Sequence, residues 1–315
     1  MSYTFFSSVM AAGLMATVVP AICQEASNNR SAPLYRVTVV ERSVDAVNYQ
    51  YHAGPTNIDF RGTVLLAKGK GEATVESRRG RTEIDARFSN LAPPARFGRE
   101  YLAYVFWAIS PEGAPRNLGE IVPDASDHGH LRVTTDLQVF GLIVTSEPYS
   151  AVRQPSDVVV LENVVRADTI GHIEPIQAKY ELLPRGQYTY TPQEGGPPAQ
   201  GAKVSMSRYE SLLQIYQAQN AVQIARAQGA DKYATDTLAK AEHLLAEARQ
   251  MEQRHAGRSS VVTLAREAAQ TAEDARAITM RHKDDAQQPT RAARTVNSSF
   301  ATIGFTELQV RKHLR

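Results

Sequence analysis

The sequence predicts an α+β protein built in separate domains: an N-terminal antiparallel β-sandwich of immunoglobulin-like type, then an antiparallel helical hairpin or three-helix unit. Three observations predict it. From residue 33 to about 190, short apolar runs recur between Gly, Pro, Asn and Asp breaks, and no helix-length amphipathic run interrupts them. Residues 191–203, TPQEGGPPAQGAK, are a Pro/Gly linker without apolar periodicity. Beyond the linker the composition turns to Ala, Gln, Glu and Arg, with apolar residues at helical spacing.

The first 23 residues come before either domain. An apolar run from Val9 to Val19 is followed by Pro20, then Ala21-Ile22-Cys23, then polar residues. That is the layout of a secretory signal peptide cut after Cys23, although no Lys or Arg precedes the run. The run is shorter than the roughly 20 apolar residues a membrane span needs. Lipidation at Cys23 would need a small residue at position 22, where Ile22 stands, so a plain signal cut is the preferred expectation. Cys23 is the chain's one cysteine, so cleavage after it leaves no disulfide, thiolate site or Cys nucleophile. The expected mature protein has no transmembrane helix and is periplasmic or outer-membrane-associated. A net charge of +2 over 315 residues gives no global reason to expect nucleic acid as a partner.

Within 33–190, LYRVTVVER alternates Tyr35, Val37 and Val39 on one side. Strand-like runs follow at Ile58–Leu66, Glu72–Ser77 and Arg81–Phe88, broken by Gly69-Lys70-Gly71 and Arg79-Gly80. The double proline of LAPPARFG cannot lie in a central strand. Tyr101–Ser110 and Asn117–Val122 then flank the turn Pro111-Glu112-Gly113 as a hairpin. HLRVTTDLQVFGLIVTSEPY holds two more strands and SDVVVLENVV another.

The helical part, 204–283, opens with RYESLLQIYQAQNAVQIARAQ, whose Tyr209, Leu212, Leu213, Tyr216, Asn220 and Ile224 lie near one face; Gly229 ends it. Thr235 or Asp236 caps a second helix with Leu238, Ala241, Leu244, Leu245, Ala248 and Met251 as its stripe, ended by Gly257. A third opens at Ser259 or Ser260 and carries Leu264, Ala268, Ala272, Ala275 and Ile278 or Thr279 along one side. Short loops make these helices antiparallel neighbours, and alanine at the contacts implies close approach. Residues 284–315 are polar and basic, and are expected to form a poorly ordered tail.

Trp107, the only tryptophan, lies in YVFWAI. Tyr104, Phe106 and Ala108 share one side of that strand and Val105, Trp107 and Ile109 the other; both sides are apolar, so the strand is central and Tyr104, Phe106, Trp107 and Ile109 are core. The competing role for Trp107 is to stack on a sugar. Asp127-His128-Gly129-His130 offers two imidazoles, but a third metal ligand has no place in the pattern, so a solvated turn is preferred. Lys68, Lys70, Arg78, Arg79 and Arg81 lie near two turns of adjacent strands as a candidate basic patch for an anionic envelope polymer, set against a solvated hairpin with protected edges. Gly69-Lys70-Gly71 lacks the Ser/Thr and helix of a phosphate loop. Ser146-Glu147 and Ser156-Asp157 supply nucleophile and carboxylate types without a Gly-x-Ser-x-Gly elbow. No cofactor pattern and no catalytic constellation is visible, so a non-enzymatic role is expected.

YVFWAISPEGAPRNLGEI with FGLIVTSEPYSAVRQPSDVVVLE resembles the extracytoplasmic domain of anti-sigma-K-type regulators, through Tyr104, Trp107, Gly113, Leu118, Gly119, Glu147, Pro148, Pro155 and Ser156. The resemblance covers about a quarter of the chain and implies a β-sandwich. That family carries a membrane helix and a cytoplasmic sigma-binding domain ahead of the sandwich, where this chain has a signal-like segment, so only the fold is carried over. ARAQGADKYATDTLAKAEHLLAEAR with AREAAQTAEDARAI resembles a bacterial helical domain of unknown function that often precedes an OmpA-like peptidoglycan-binding domain. It implies an envelope setting, while the tail FATIGFTELQVRKHLR shows no peptidoglycan-binding motif. The combined expectation is an exported, non-enzymatic envelope protein whose sandwich binds or scaffolds and whose helices associate with envelope proteins or cell-wall polymer, or with further copies. The alternatives are a glycan-binding or glycan-active domain using Trp107, and an extracytoplasmic signalling module.

Overall fold

The computed structural model describes the backbone of residues 40–49, 54–78, 80–167, 169, 172–182 and 205–312, and the side chains of 43–49, 54–78, 80–167, 169, 205 and 207–286. The signal-like segment, the linker 191–203 and Arg79 lie outside the described residues.

The described strands are β1 (Val40–Asn48), β2 (Thr56–Gly62), β3 (Lys70–Arg78), β4 (Arg81–Ser89), β5 (Ala103–Ile109), β6 (Pro115–Ile121), β7 (Gly129–Thr135), β8 (Val139–Glu147), β9 (Val159–Val164) and β10 (His172–Leu182). They form one nearly closed antiparallel sheet, barrel- or sandwich-like, in the order β10-β1-β8-β9-β2-β3-β4-β7, with β5 paired to β8 and β6 to β5. β6 and β7 lie side by side without a ladder and close the seam. The strand expected over Ile58–Leu66 ends at Gly62. Thr63 accepts a hydrogen bond from Leu65 N, which starts a 3-10 turn at Val64–Leu66, and Gly62 N donates to Gly69 O at 3.0 Å. A side chain at Gly62 would lie 2.0 Å from Leu66 O, so the turn requires glycine there. Between β5 and β6 the register slips by one residue at Phe106/Trp107, leaving Leu118 as a bulge beside Gly119, whose φ of 140° favours glycine.

β5 is buried along its whole length. Tyr104, Phe106 and Ala108 face the interior of the sheet, where Phe106 meets Phe60 at 5.8 Å and Phe88 at 5.6 Å between ring centroids. Val105, Trp107 and Ile109 face the other way and share a second core with Ile143, Tyr149 and Val159 of the sheet side and with the helices.

Those helices are α1 (Met206–Ala227), α2 (Ala230–Tyr233), α3 (Thr235–Gln253) and α4 (Arg258–Lys312). Ser205 caps α1 by accepting from Arg208 N at 3.3 Å, and Gly229, at φ 92°, turns the chain out of it. Ion pairs fix the helix directions. Arg208–Glu252 and Arg226–Glu242 make α1 and α3 antiparallel, and Arg258–Glu210, with the hydrogen bond from Lys283 to Gln228 O, makes α1 and α4 parallel; α3 and α4 are therefore antiparallel, and Lys240–Glu267 joins them. α3 buries Leu238, Ala241, Leu244, Leu245 and Ala248, and α4 buries Val261, Ala265, Ala268, Ala272 and Ala275. Alanine at nearly every crossing brings these backbones close together.

α1 differs from the one-face expectation. Leu212 and Tyr216 are only half-buried, while Ser211, Gln214, Ile215, Gln217, Ala218, Ala221 and Val222 are buried. A single stripe cannot describe a helix that packs on the sheet with one side and on α3 and α4 with another. The helical backbone of α4 continues past residue 284 to Lys312.

Because Trp107 is the only tryptophan and sits in the core that sheet and helices share, its fluorescence reports their contact. Unfolding followed by tryptophan emission and by far-UV circular dichroism at the helix band is expected to superimpose in one cooperative transition. Helices melting before the tryptophan signal changes would contradict the shared core.

Candidate functional site

The residues singled out in the sequence fall in three places. Tyr104, Phe106, Trp107 and Ile109 have no exposed surface. The Trp107 indole N–H donates to Thr145 Oγ1 at 2.8 Å, deep in the second core. A ring enclosed in this way cannot stack on a sugar, which removes the basis of that reading.

His128 and His130 flank the start of β7 and face different aspartates. His130 Nε2 lies 3.0 Å from Asp85 Oδ1, and His128 Nδ1 lies 3.8 Å from Asp124 Oδ1. Asp124 accepts backbone hydrogen bonds from His128 and Ser126, which hold its carboxyl below the usual range and define the turn. Among the described residues no three His, Cys, Asp or Glu side chains gather to hold a metal ion.

The described cations of the candidate patch, Lys68, Lys70, Arg78 and Arg81, do not gather. Lys70 opens β3 and Arg78 ends it, so they stand about 26 Å apart at the ordinary strand rise. Arg78 pairs with Glu76 at 2.8 Å, and Arg81 faces Arg78 across the hairpin. Lys70 instead joins Arg61 of β2 and Arg87 of β4 around an open groove on the outer face of β2, β3 and β4. Its other lining residues include Asp59, Glu72, Ser89 and His128, and its volume is about 650 Å³.

The junction of sheet and helices carries two polar networks, neither visible as a motif. In the first, Glu273 of α4 is fully buried and grips Arg276 through two bonds of 2.7 Å; it also accepts from the Tyr149 hydroxyl at 2.6 Å and from Arg153 N at 3.3 Å. Burial, with the Glu273 charge beside it, holds the Tyr149 phenol well above its usual range. In the second, Glu120 of β6 accepts from Gln214 at 2.8 Å and Gln217 at 2.5 Å, and Gln217 accepts from Ser150 N at 2.8 Å. Asn220 completes this side of α1 by donating to the carbonyls of Glu100 and Pro148, each at 3.1 Å. The sequence signal is the row Gln214, Gln217, Asn220: amides three apart on a helix that carries no charge at those positions.

Within the sheet, Glu147 is fully buried at the end of β8. Its Oε1 accepts from the Thr145 hydroxyl at 2.5 Å and from Ser156 N at 2.7 Å, while Oε2 meets no hydrogen-bond partner. Burial pushes its carboxyl up to about 8, against the lowering effect of those donors. Trp107, Thr145, Glu147 and Ser156 form one hydrogen-bonded run that ties β5, β8 and the 148–158 loop together. With no exposed approach to Glu147, this arrangement orders the loop on which the helices sit.

Comparison with protein-family models, curated proteins and solved structures returned no match.

Two outcomes follow from these networks. Between the ordinary carboxylate value of 4.5 and about 8, the unfolded chain has released the Glu147 proton and the folded chain has not. The unfolded state then binds fewer protons, so stability falls as pH rises through that window, by up to about 1.4 kcal/mol per pH unit. Glu147→Gln, which keeps an oxygen for Thr145 and Ser156, is expected to flatten that slope in urea titrations at pH 5, 6.5 and 8. At the junction, Glu273→Leu leaves Arg276 buried without its carboxylate and is expected to cost about 3 to 5 kcal/mol. The double variant Glu273→Leu/Arg276→Met should recover most of that loss; a double variant as weak as the single one would contradict the pairing.

Proposed function

We propose that this chain is a non-enzymatic, exported envelope protein in which an immunoglobulin-like sandwich serves as binding or scaffold domain and the antiparallel helices associate with envelope partners or with further copies. The observation that carries the reading is the relation of α4 to the rest. Its first half is locked onto the sheet through Glu273 and onto α1 and α3 through alanine, while Lys283 already reaches the C-terminal end of α1. A helix of 55 residues is about 82 Å long and α1, of 22 residues, about 33 Å, so the helical backbone beyond Lys283 outruns the helix it packs along. A helix held rigidly at one end and extended at the other suits association more than catalysis. The signal-like Met1–Cys23 supports the envelope setting, and so do the two resemblances: Glu147 and Ser156, two of the residues that carry the first, are hydrogen-bonded to each other.

The test is to express the whole chain, determine the N-terminus of the recovered protein, and incubate it with purified peptidoglycan sacculi and with detergent-solubilised envelope. A mature N-terminus at Gln24 and retention on sacculi or on a defined envelope protein are expected. Intact chain still carrying Met1–Cys23 in the cytoplasm, or no retention by either fraction, overturns the reading.

A further inference from the structure

We infer that Glu147 is a proton-sensitive latch on the docking of the helices: while protonated it holds the 148–158 loop in the shape that α1 and α4 grip, and on losing its proton it lets that loop open while the rest of the sheet stays folded. This rests on the contacts around the end of β8 and is independent of export and of any envelope partner.

Glu147 is fully buried where β8 passes into the loop. The hydrogen-bonded run that ends on it has a fixed direction. The Trp107 indole N–H donates to Thr145, so the Thr145 hydroxyl is left to donate its own proton to Glu147 Oε1, and Ser156 N donates to the same oxygen. An oxygen that accepts twice has no room for a proton, so the acid proton of the neutral form belongs on Oε2, which no hydrogen-bond partner meets. Once that proton leaves, the negative charge has no cation to answer it. β5 carries no charged residue, and α1 turns two amides, Gln217 and Asn220, toward the loop. On α4, Arg276 is held by Glu273 through two bonds of 2.7 Å, and Asp274 takes the Arg153 guanidinium of the loop itself. Asp157 adds a like charge, and Tyr149 stays a neutral phenol.

The ionised carboxylate reaches water only if the loop lifts away from it. That loop makes polar contacts by which the helices sit: Tyr149 and Arg153 N on Glu273, Ser150 N on Gln217, and Pro148 O under Asn220. The β5–β8 ladder runs up to Glu147 without using the loop, and the alanine contacts among α1, α3 and α4 do not pass through it. Opening is therefore a smaller event than unfolding. Burial, with the Asp157 charge beside it, pushes the Glu147 carboxyl up to about 8 while the loop is closed; in the open loop it returns toward 4.5. The open state binds fewer protons in that window, so opening is favoured as pH rises from about 5 to about 8 and levels off above it, where the closed loop has lost the proton too.

The test is amide hydrogen exchange on the full chain at pH 5, 6.5 and 8, read at Ser150, Arg153 and Ser156, whose N–H groups donate to Gln217, Glu273 and Glu147, with the β3–β4 ladder as reference. After correction for the chemical exchange rate, protection at the three loop amides is expected to fall about tenfold per pH unit and to stay well below that of the ladder. Glu147→Gln, which cannot ionise, should hold loop protection constant over the same range. A slope that persists in the folded Glu147→Gln variant places the proton on another group and overturns the proposal. The wild-type chain alone decides the matter should that variant fail to fold. Loop amides as protected as the ladder mean that the loop opens only when the whole chain unfolds, and loop protection independent of pH means that no proton controls it; either result overturns the proposal.

Discussion

The structure depends on a strand that has no wet side. β5 is buried from Ala103 to Ile109, and its two faces feed two different cores. An antiparallel sheet usually leaves one face to water, but here Val105, Trp107 and Ile109 would be exposed if the sheet stood alone. Burying such residues is worth on the order of 2 kcal/mol each. The helices are therefore the second layer that the central strands require.

Apolar burial does not fix how the helices sit, and the polar networks do. Alanine-rich helix surfaces are smooth and can slide against a sheet at little cost. Gln214, Gln217 and Asn220 remove that freedom, because each has specific partners in Glu120, Ser150, Glu100 and Pro148. Buried amides and the Glu273–Arg276 pair are costly unless every bond is made, so they admit one docking geometry. The 148–158 loop is the surface being matched, and the Thr145–Glu147–Ser156 contacts set its shape from below.

The charged face of β2, β3, β4 and β7 pairs its ions in most rows, which keeps a solvated sheet soluble and its edges protected. Arg61 of β2 stands between Glu162 of β9 and Lys70 of β3 in one row, and register alone brings them together: β2 and β3 are joined by a turn in which Thr63 caps Val64–Leu66 and Gly62 lets the backbone fold back on itself.

By itself the sequence determined the β-then-α order, the two-sided apolar character of YVFWAI, and the stripes of α3 and α4, because those features follow from local periodicity and turn chemistry. The ends of β2 and the true faces of α1 were not legible. A 3-10 turn closed by a Gly62–Gly69 contact looks like continuing strand, and a helix docked on two sides loses its single stripe. The candidate basic patch failed for a related reason: Lys68 to Arg81 are neighbours in sequence, but nine residues of strand carry Lys70 and Arg78 to opposite ends of the sheet. Only the tertiary structure decided that Lys70 meets Arg61, that Glu273 of α4 reaches Tyr149 across 124 residues, and that Trp107 is covered by helices. Those pairings depend on strand register and helix docking, which arise from long-range packing that no local pattern encodes.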